Sequence, residues 1–166
     1  IAAGSTGNIY VSDRYSRVRK IAAGTNIITT VAGGSTTFSG DGGQATAAGM
    51  NSGFLAVDQN ENIYVVDIAA ARVRKIEAST GIITTVAGGG TPPVGSIGDN
   101  GQATAAKLNG PFTVVLDGSG NLYISDRSNE RIRRVDAVTK TITTYAGGGT
   151  NSTQTGILAT KSNAAY

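Results

Sequence analysis

The stretch NIYVVDIAAARVRKI at residues 62–76 decides the fold, because the chain contains it in three versions. Its counterparts are NIYVSDRYSRVRKI at 8–21 and NLYISDRSNERIRRV at 121–135. The motif IITTVAGG at 27–34 likewise returns in both later repeats. Self-similarity at a fixed period is the sequence signature of a repeat architecture. We therefore interpret the chain as three copies of one structural unit.

The second repeat shows what that unit is. It contains four short β-rich runs, each bounded by turn residues such as Gly, Asn, Asp and Ser, and no stretch of it has a helical period. Four such runs in succession predict an antiparallel meander, and a repeated meander predicts a β-propeller. We predict an all-β chain, a single unit at 1–166 with three four-stranded antiparallel blades. The predicted blades cover about 1–32, 53–88 and 111–147.

Several motifs resemble those of bacterial NHL repeats. They are N-[IL]-Y-[VI]-x-D, R-[VI]-R-[KR]-[IV], GDGGQATAA at 40–48 and LNGP at 108–111, and together they cover nearly the whole chain. The resemblance implies a propeller, usually of six blades, that serves mostly as a binding platform. A minority of the members of this family are enzymes, such as amidating lyases with His-bound zinc.

The two ends of the sequence share one repeat phase. Placing Ile1 after Tyr166 aligns the joined sequence without a gap to MNSGFLAVD at 50–58. The first strand of blade one is then completed by residues 163–166 of another copy or segment. Three arrangements stay open: a six-bladed ring of two head-to-tail copies, an excerpt from a longer repeat protein, or an open filament.

The composition excludes several kinds of chemistry within these residues. The chain has no Cys and no His, so it lacks disulfides, thiolate metal sites and His-dependent nucleophilic catalysis. We expect no catalysis, no metal and no cofactor. No apolar run approaches the roughly 20 residues of a membrane span. Abundant Thr, Asn and Gly with few Lys and Glu suggest a secreted, cell-surface or periplasmic bacterial protein.

An aspartate closes the second strand of each repeat, and an arginine opens the third. This pattern could supply carboxylates for a metal or for acid catalysis, but its presence in every repeat favours an ion pair that holds the hairpin. The predicted pairs are Asp13 with Arg17, Asp67 with Arg72, and Asp126 with Arg131.

Two further aspartates lie in Gly-rich loops between the blades. Asp41 stands in GDGG and Asp99 in GDNG. A calcium site needs several oxygen ligands, and each loop offers one carboxylate. We therefore predict that each aspartate caps the following QATAA turn through a backbone N–H.

The connections after strands two and four lie on one end of a propeller and differ most between the repeats. We predict ligand contacts there for Arg14, Tyr15, Arg127 and Asn129. The scarcity of aromatic residues argues against a nucleic-acid partner. The sequence favours a non-catalytic binding or assembly scaffold for a protein, a glycan or further copies of itself. The alternatives are a fragment of a propeller lyase or hydrolase, with its active site in missing blades, and a subunit of an extracellular filament.

Overall fold

Each repeat forms one four-stranded antiparallel sheet in the computed structural model, which describes residues 1–13 and 15–149. Within each sheet the strands follow one another in chain order, so every blade is a meander. The prediction of an all-β propeller unit with three four-stranded blades is confirmed. The strands of blade 1 are β1 Ala2–Ala3, β2 Ile9–Ser12, β3 Arg17–Ile21 and β4 Ile28–Gly33. Those of blade 2 are β5 Ser52–Val57, β6 Ile63–Asp67, β7 Arg72–Ile76 and β8 Ile83–Gly88. Those of blade 3 are β9 Pro111–Leu116, β10 Leu122–Asp126, β11 Arg131–Val135 and β12 Ile142–Gly147.

A register shift occurs at the same place in all three blades. In blade 2 it lies between Val73 and Arg74, where β7 pairs with β8. The same shift follows Val18 in blade 1 and Ile132 in blade 3. An extra residue in one strand of an antiparallel pair bends that strand and redirects its side chains. The shift sets which residue of the fourth strand stands beside the second arginine of the third strand.

The apolar core consists of two layers, one between each pair of adjacent blades. Val65 and Val66 are consecutive and fully buried, yet they belong to different layers because side chains alternate across a strand. Full burial of a Val or Ile side chain contributes about 1.5–3 kcal/mol. The layer between blades 1 and 2 includes Tyr10, Val18, Ala32, Leu55, Ile63, Val65, Ile76 and Ile83. The layer between blades 2 and 3 includes Val66, Val73, Ala87, Val114, Leu122, Ile124, Val135 and Ile142.

The two outer faces of the stack repeat the residue pattern of the inner layers. Ile28 of blade 1 stands where blades 2 and 3 have Ile83 and Ile142. Ile28 is 50% exposed, whereas the other two isoleucines are fully buried. We call the outer surface of blade 1 the leading face; it carries Ile9, Val11, Ile21 and Ile28. We call the outer surface of blade 3 the trailing face; it carries Val115, Tyr123, Ile132 and Tyr145.

Helical structure is confined to single turns in the described ranges. Three-residue 3-10 helices occur at Ala45–Ala47, Ala103–Ala105 and Arg127–Asn129. Within residues 1–13 and 15–149, no helix has the length and apolar character needed to cross a membrane.

Candidate functional site

A fully buried arginine lies at the centre of blade 2. Arg74 projects from β7 with none of its side chain exposed. Its guanidinium contacts the Asp41 carboxylate at 2.7 Å and the Asp67 carboxylate at 3.8 Å. Two carboxylates on one guanidinium compensate the loss of hydration that burial causes. The arginine thereby joins its own blade to the loop that arrives from blade 1.

Blade 3 repeats this arrangement with Arg133. The arginine is again fully buried and lies 3.1 Å from the Asp126 carboxylate and 2.8 Å from that of Asp99. In blade 1 the equivalent residue is Arg19, which is 23% exposed and only approaches Asp13, at 3.9 Å. The aspartates at the strand ends therefore have structural partners, but two of them face a different arginine from the one predicted.

Only one of the three predicted hairpin ion pairs forms. Asp13 and Arg17 are 2.8 Å apart. The predicted pairing of Asp67 with Arg72 is wrong, because the buried Asp67 faces Arg74. Arg72 lies instead over the Phe38 ring, 4.5 Å from its centroid.

The predicted pairing of Asp126 with Arg131 is wrong for the same reason. Asp126 is fully buried and pairs with Arg133, two residues further along β11 on the same face of the sheet. Arg131 stands at the edge of the blade and donates to the backbone carbonyl of Asn129 at 2.7 Å. Burial of the aspartate thus selects the interior arginine over the one at the strand end.

The prediction that Asp41 and Asp99 cap the QATAA turns is also wrong. Gln44 and Gln102 occupy the cap positions, and neither turn has a side-chain cap. Each aspartate turns instead toward the blade and pairs with its buried arginine. The loop carboxylates therefore hold each inter-blade loop on the next blade rather than stabilising a helical turn.

A carboxylate from blade 2 completes a hydrogen-bond cluster in blade 1. Glu61 accepts hydrogen bonds from the Thr6 backbone at 2.9 Å, the Asn8 amide at 3.1 Å and the Tyr10 hydroxyl at 2.7 Å. In blade 2 the equivalent Asn62 and Tyr64 donate to a carboxylate of their own blade, that of Asp58. Blade 1 has no such aspartate, so Glu61 supplies the missing charge across the interface.

The position of Gly4 explains why Glu61 can reach blade 1. Gly4 occupies the place that Asp58 and Asp117 hold in the other two blades. A Cβ at Gly4 would lie 2.3 Å from Oε1 of Glu61. The absence of a side chain at Gly4 therefore leaves the space that the Glu61 carboxylate occupies. In the sequence, this contact corresponds to an aspartate that is missing from the first repeat and a glutamate that is present in the second.

The Glu61 cluster shifts two pKa values in opposite directions. Burial alone would raise the pKa of Glu61, but hydrogen bonds from Thr6, Asn8 and Tyr10 lower it to about 2. Burial and the neighbouring Glu61 carboxylate raise the pKa of Tyr10 well above its usual value. Both shifts favour a charged glutamate that accepts a hydrogen bond from a neutral tyrosine.

Glu61 is expected to make the stability of the chain dependent on acid pH. Because its folded pKa lies below the unfolded value, its contribution is full above about pH 4.5 and disappears as the pH falls toward 2. Glu61→Gln should lower the free energy of unfolding at pH 7 by about 1–2 kcal/mol, a value reduced for partial exposure. Urea unfolding of both proteins between pH 7 and 2 measures the difference.

The stability difference between the two proteins should shrink as the pH falls, and a difference that stays constant would contradict the assignment. A matched control comes from moving the carboxylate. Glu61→Gly keeps the left-handed backbone, where φ is 64°. Adding Gly4→Asp should then restore most of the lost stability, because Asn8 and Tyr10 regain a carboxylate of the kind that Asp58 provides in blade 2.

The four predicted ligand-contacting residues have different environments. Arg14 lies outside the described residues. Tyr15 is exposed, and Arg17 lies 5.3 Å from its ring centroid. Asn129 donates from its amide to the Asp126 carboxylate at 2.8 Å, so it supports the hairpin connection. Arg127 lines a groove on the trailing face.

This groove on the trailing face is lined mainly by apolar side chains. Its volume is about 570 Å³, and Phe112, Val115, Tyr123 and Ile132 line it together with Arg127. In blade 2 the residues equivalent to Val115, Tyr123 and Ile132 belong to the layer that blade 3 covers. The apolar lining of the groove therefore resembles the surface of blade 2 that packs against blade 3.

The described residues show no arrangement suited to metal chemistry. Within residues 1–13 and 15–149, no three His, Cys, Asp or Glu side chains cluster in a way that could hold a metal ion. The described carboxylates that lie deepest, Asp67 and Asp126, are engaged with arginines and backbone N–H groups. The exposed apolar residues of the trailing and leading faces make these faces the candidate functional surfaces.

Comparison with known proteins links the chain to NHL repeats. It is 34% identical over 104 residues to NHL repeat-containing protein 2 of Homo sapiens, a match that covers 60% of this chain and 14% of that protein. It is 29% identical over 110 residues to the chloroplastic protein SUPPRESSOR OF QUENCHING 1 of Arabidopsis thaliana, covering 64% and 10% respectively. The chain thus spans a small part of the length of these relatives. No protein-family model matches it.

Solved structures share the fold. A structural genomics protein of unknown function from Bacteroides thetaiotaomicron matches with a TM-score of 0.72 at 20% identity, over 99% of this chain and 39% of the other. An auxiliary nutrient binding protein from Bacteroides ovatus matches with a TM-score of 0.61 at 20% identity, over 90% and 36%. Virginiamycin B lyase from Staphylococcus aureus matches with a TM-score of 0.55 at 16% identity, over 87% and 39%.

Proposed function

The chain belongs to the NHL-repeat β-propeller family, and on that premise we propose that it is a non-catalytic binding and assembly scaffold. Its leading and trailing faces pack against further blades of the same kind, head to tail. The end of the blades that carries Tyr15 is then available to a protein or glycan ligand. The compartment in which it works stays a prediction from composition.

One observation carries the proposal: both outer faces present residues whose equivalents are buried between blades. Val115 and Tyr145 of the trailing face are more than half exposed, whereas their blade 2 equivalents, Ala56 and Val86, pack against blade 3. Contiguous exposed apolar patches mark interaction sites. The internal layers favour another blade as the partner, because they bury the equivalent residues.

A catalytic role finds less support. The similar structures that are named lyases are 16% identical to this chain, and such a likeness shows only the fold. These 166 residues contain neither His nor Cys. The described aspartates have structural partners, so the scaffold role accounts for the residues that might otherwise suggest an active site.

Two charged substitutions test the head-to-tail packing. Ile28→Asp alters only the leading face and Ile132→Asp only the trailing face, and both side chains are partly exposed, so each variant should fold. Each variant alone should remain at the mass of a single 16.7 kDa chain. An equimolar mixture should form a dimer, because each variant retains the face that the other has lost.

Light scattering after size-exclusion chromatography measures these masses, and circular dichroism checks the fold. A mixture that stays monomeric while the unmodified chain associates would show that the faces do not meet head to tail. Variants that associate as the unmodified chain does would show that neither face is an interface.

A further inference from the structure

We propose that Arg19 and Thr30 of blade 1 form a receptor for the aspartate of a Gly-Asp loop contributed by a further blade. This inference rests on the stacking proposed above and states which kind of blade packs on the leading face. Blades 2 and 3 each hold such a loop, so the molecule shows the bound arrangement twice.

In blade 2 the loop aspartate is held by a fork of donors. Asp41 accepts from Nη2 and Nε of Arg74 at 2.7 and 2.9 Å, and from the backbone and hydroxyl of Thr85. Arg74 also donates to the carbonyls of Ser39 and Gly49, each at 2.9 Å. The guanidinium thus recognises both the carboxylate and the backbone of the loop.

The same loop hydrogen-bonds to the outermost strand of the blade. Gly42 donates to the Ile83 carbonyl at 2.8 Å, and the Ile83 N–H donates to Gly43 at 3.0 Å. Ala45 donates to Gly81 at 2.8 Å. These contacts cover β8 and contribute to the full burial of Ile83.

Blade 3 contains the second example. Asp99 accepts from Arg133 at 2.8 Å and from the Thr144 hydroxyl at 2.6 Å. The two loops share nearly the same sequence, GDGGQATAA at 40–48 and GDNGQATAA at 98–106. The bound segment is therefore a recurring motif, and the receptor consists of an arginine of the third strand and a threonine of the fourth.

Blade 1 has the receptor without the loop aspartate. Arg19 pairs in register with Thr30, as Arg74 does with Thr85. In the part of the chain that the structure describes, the Arg19 side chain donates no hydrogen bond, and its one ion-pair contact is Asp13 at 3.9 Å, whereas Arg74 and Arg133 each donate to a loop aspartate. A partly buried guanidinium that donates no hydrogen bond is costly, and a carboxylate at its Nη atoms would provide an acceptor.

The outer strand of blade 1 also lacks the cover that a Gly-Asp loop gives in blade 2. Ile28 is 50% exposed on β4, while Ile83 under the blade 2 loop is fully buried. A Gly-Asp loop in the blade 2 arrangement would hydrogen-bond to Ile28, cover its side chain and bring its aspartate to Arg19. The charge of Arg19, its register with Thr30 and the exposed side chain of Ile28 therefore all favour the same segment, a Gly-Asp loop.

The sequence also indicates where that segment does not come from. Residues 150–166 contain no Asp or Glu. A second copy that packs through its third blade supplies an apolar face but no carboxylate from that segment. The natural neighbour of the leading face is therefore a further repeat with a Gly-Asp loop, and a second copy binds there less completely.

An extended chain tests the receptor. The sequence of residues 35–54 is added directly before Ile1, so that its last Phe precedes Ile1 as Phe54 precedes Leu55. A matched extension carries Asn in place of the added aspartate. Each extension is also made in the Arg19→Gln background, and thermal unfolding is followed for all four proteins.

The aspartate extension should melt about 5 °C above the Asn extension, and the gap should vanish with Arg19→Gln. The Ile28 amide should exchange more slowly with solvent in the aspartate extension than in the unmodified chain. Equal melting temperatures, a gap that survives Arg19→Gln, or unchanged Ile28 exchange would each overturn the receptor. Blade stacking is judged separately, by the Ile28→Asp and Ile132→Asp mixture, which contains no added loop.

Discussion

Replacing Arg74 by Ala is expected to lower the free energy of unfolding by about 3–5 kcal/mol, because it leaves buried carboxylates without their counterion. Asp67 is fully buried, and the loop aspartate Asp41 would lose both of its contacts to the guanidinium. The carbonyls of Ser39 and Gly49 would lose their donor as well. Urea unfolding, followed by far-UV circular dichroism, measures the change.

The matched control for this prediction is Arg19→Ala in blade 1. Arg19 holds the equivalent place but is partly exposed and makes only the 3.9 Å approach to Asp13. Its loss should cost about 1 kcal/mol or less, as for exposed ion pairs. Arg74→Lys should fall between the two, because lysine keeps the charge but lacks the fork that binds Asp41 and the loop carbonyls. Equal effects of the two alanine substitutions would contradict the difference between the blades.

Ile83→Ala is expected to cost about 2–5 kcal/mol, the range for truncating a buried isoleucine. Ile83 is fully buried between blades 1 and 2, beneath the Gly-Asp loop. Truncation there removes apolar contacts and leaves a cavity that the surrounding strands cannot fill. Ile142→Ala should behave alike, because Ile142 has the same place in blade 3 and is also fully buried.

Ile28→Ala provides the comparison within the same chain and the same residue type. At protein concentrations where the chain is a single copy, this change should alter the free energy of unfolding by about 0.5 kcal/mol or less. At concentrations where copies associate, it should weaken the association, since the leading face is then covered. A cost as large as that of Ile83→Ala in the single copy would contradict the exposed face.

The repeats made the blades predictable from sequence. Alternation in NIYVVD and RVRKI, with turn residues between them, was enough to place four strands in each unit. The partners of the charged residues were less accessible. Whether Asp67 pairs with Arg72 or Arg74 depends on which arginine side chain the blade buries. The register shift beside Arg74, which all three blades share, cannot be predicted from the amino-acid sequence.

The inter-blade contacts were the least predictable part. Asp41 lies 33 residues before Arg74 in the chain, and nothing local indicates that the loop folds back onto the blade. The role of Glu61 is also hidden in the sequence, because its partners Thr6, Asn8 and Tyr10 lie in the preceding repeat. The absence of an aspartate at Gly4, where the other repeats have one, is the signal that could have identified it.

The central claim is that the leading and trailing faces are unfilled blade-to-blade interfaces. Light scattering on the unmodified chain, over a wide range of concentrations, tests it most directly. The account predicts that a species of twice 16.7 kDa or larger grows with concentration and that the chain stays folded throughout. A folded chain that remains at 16.7 kDa at every concentration would contradict it.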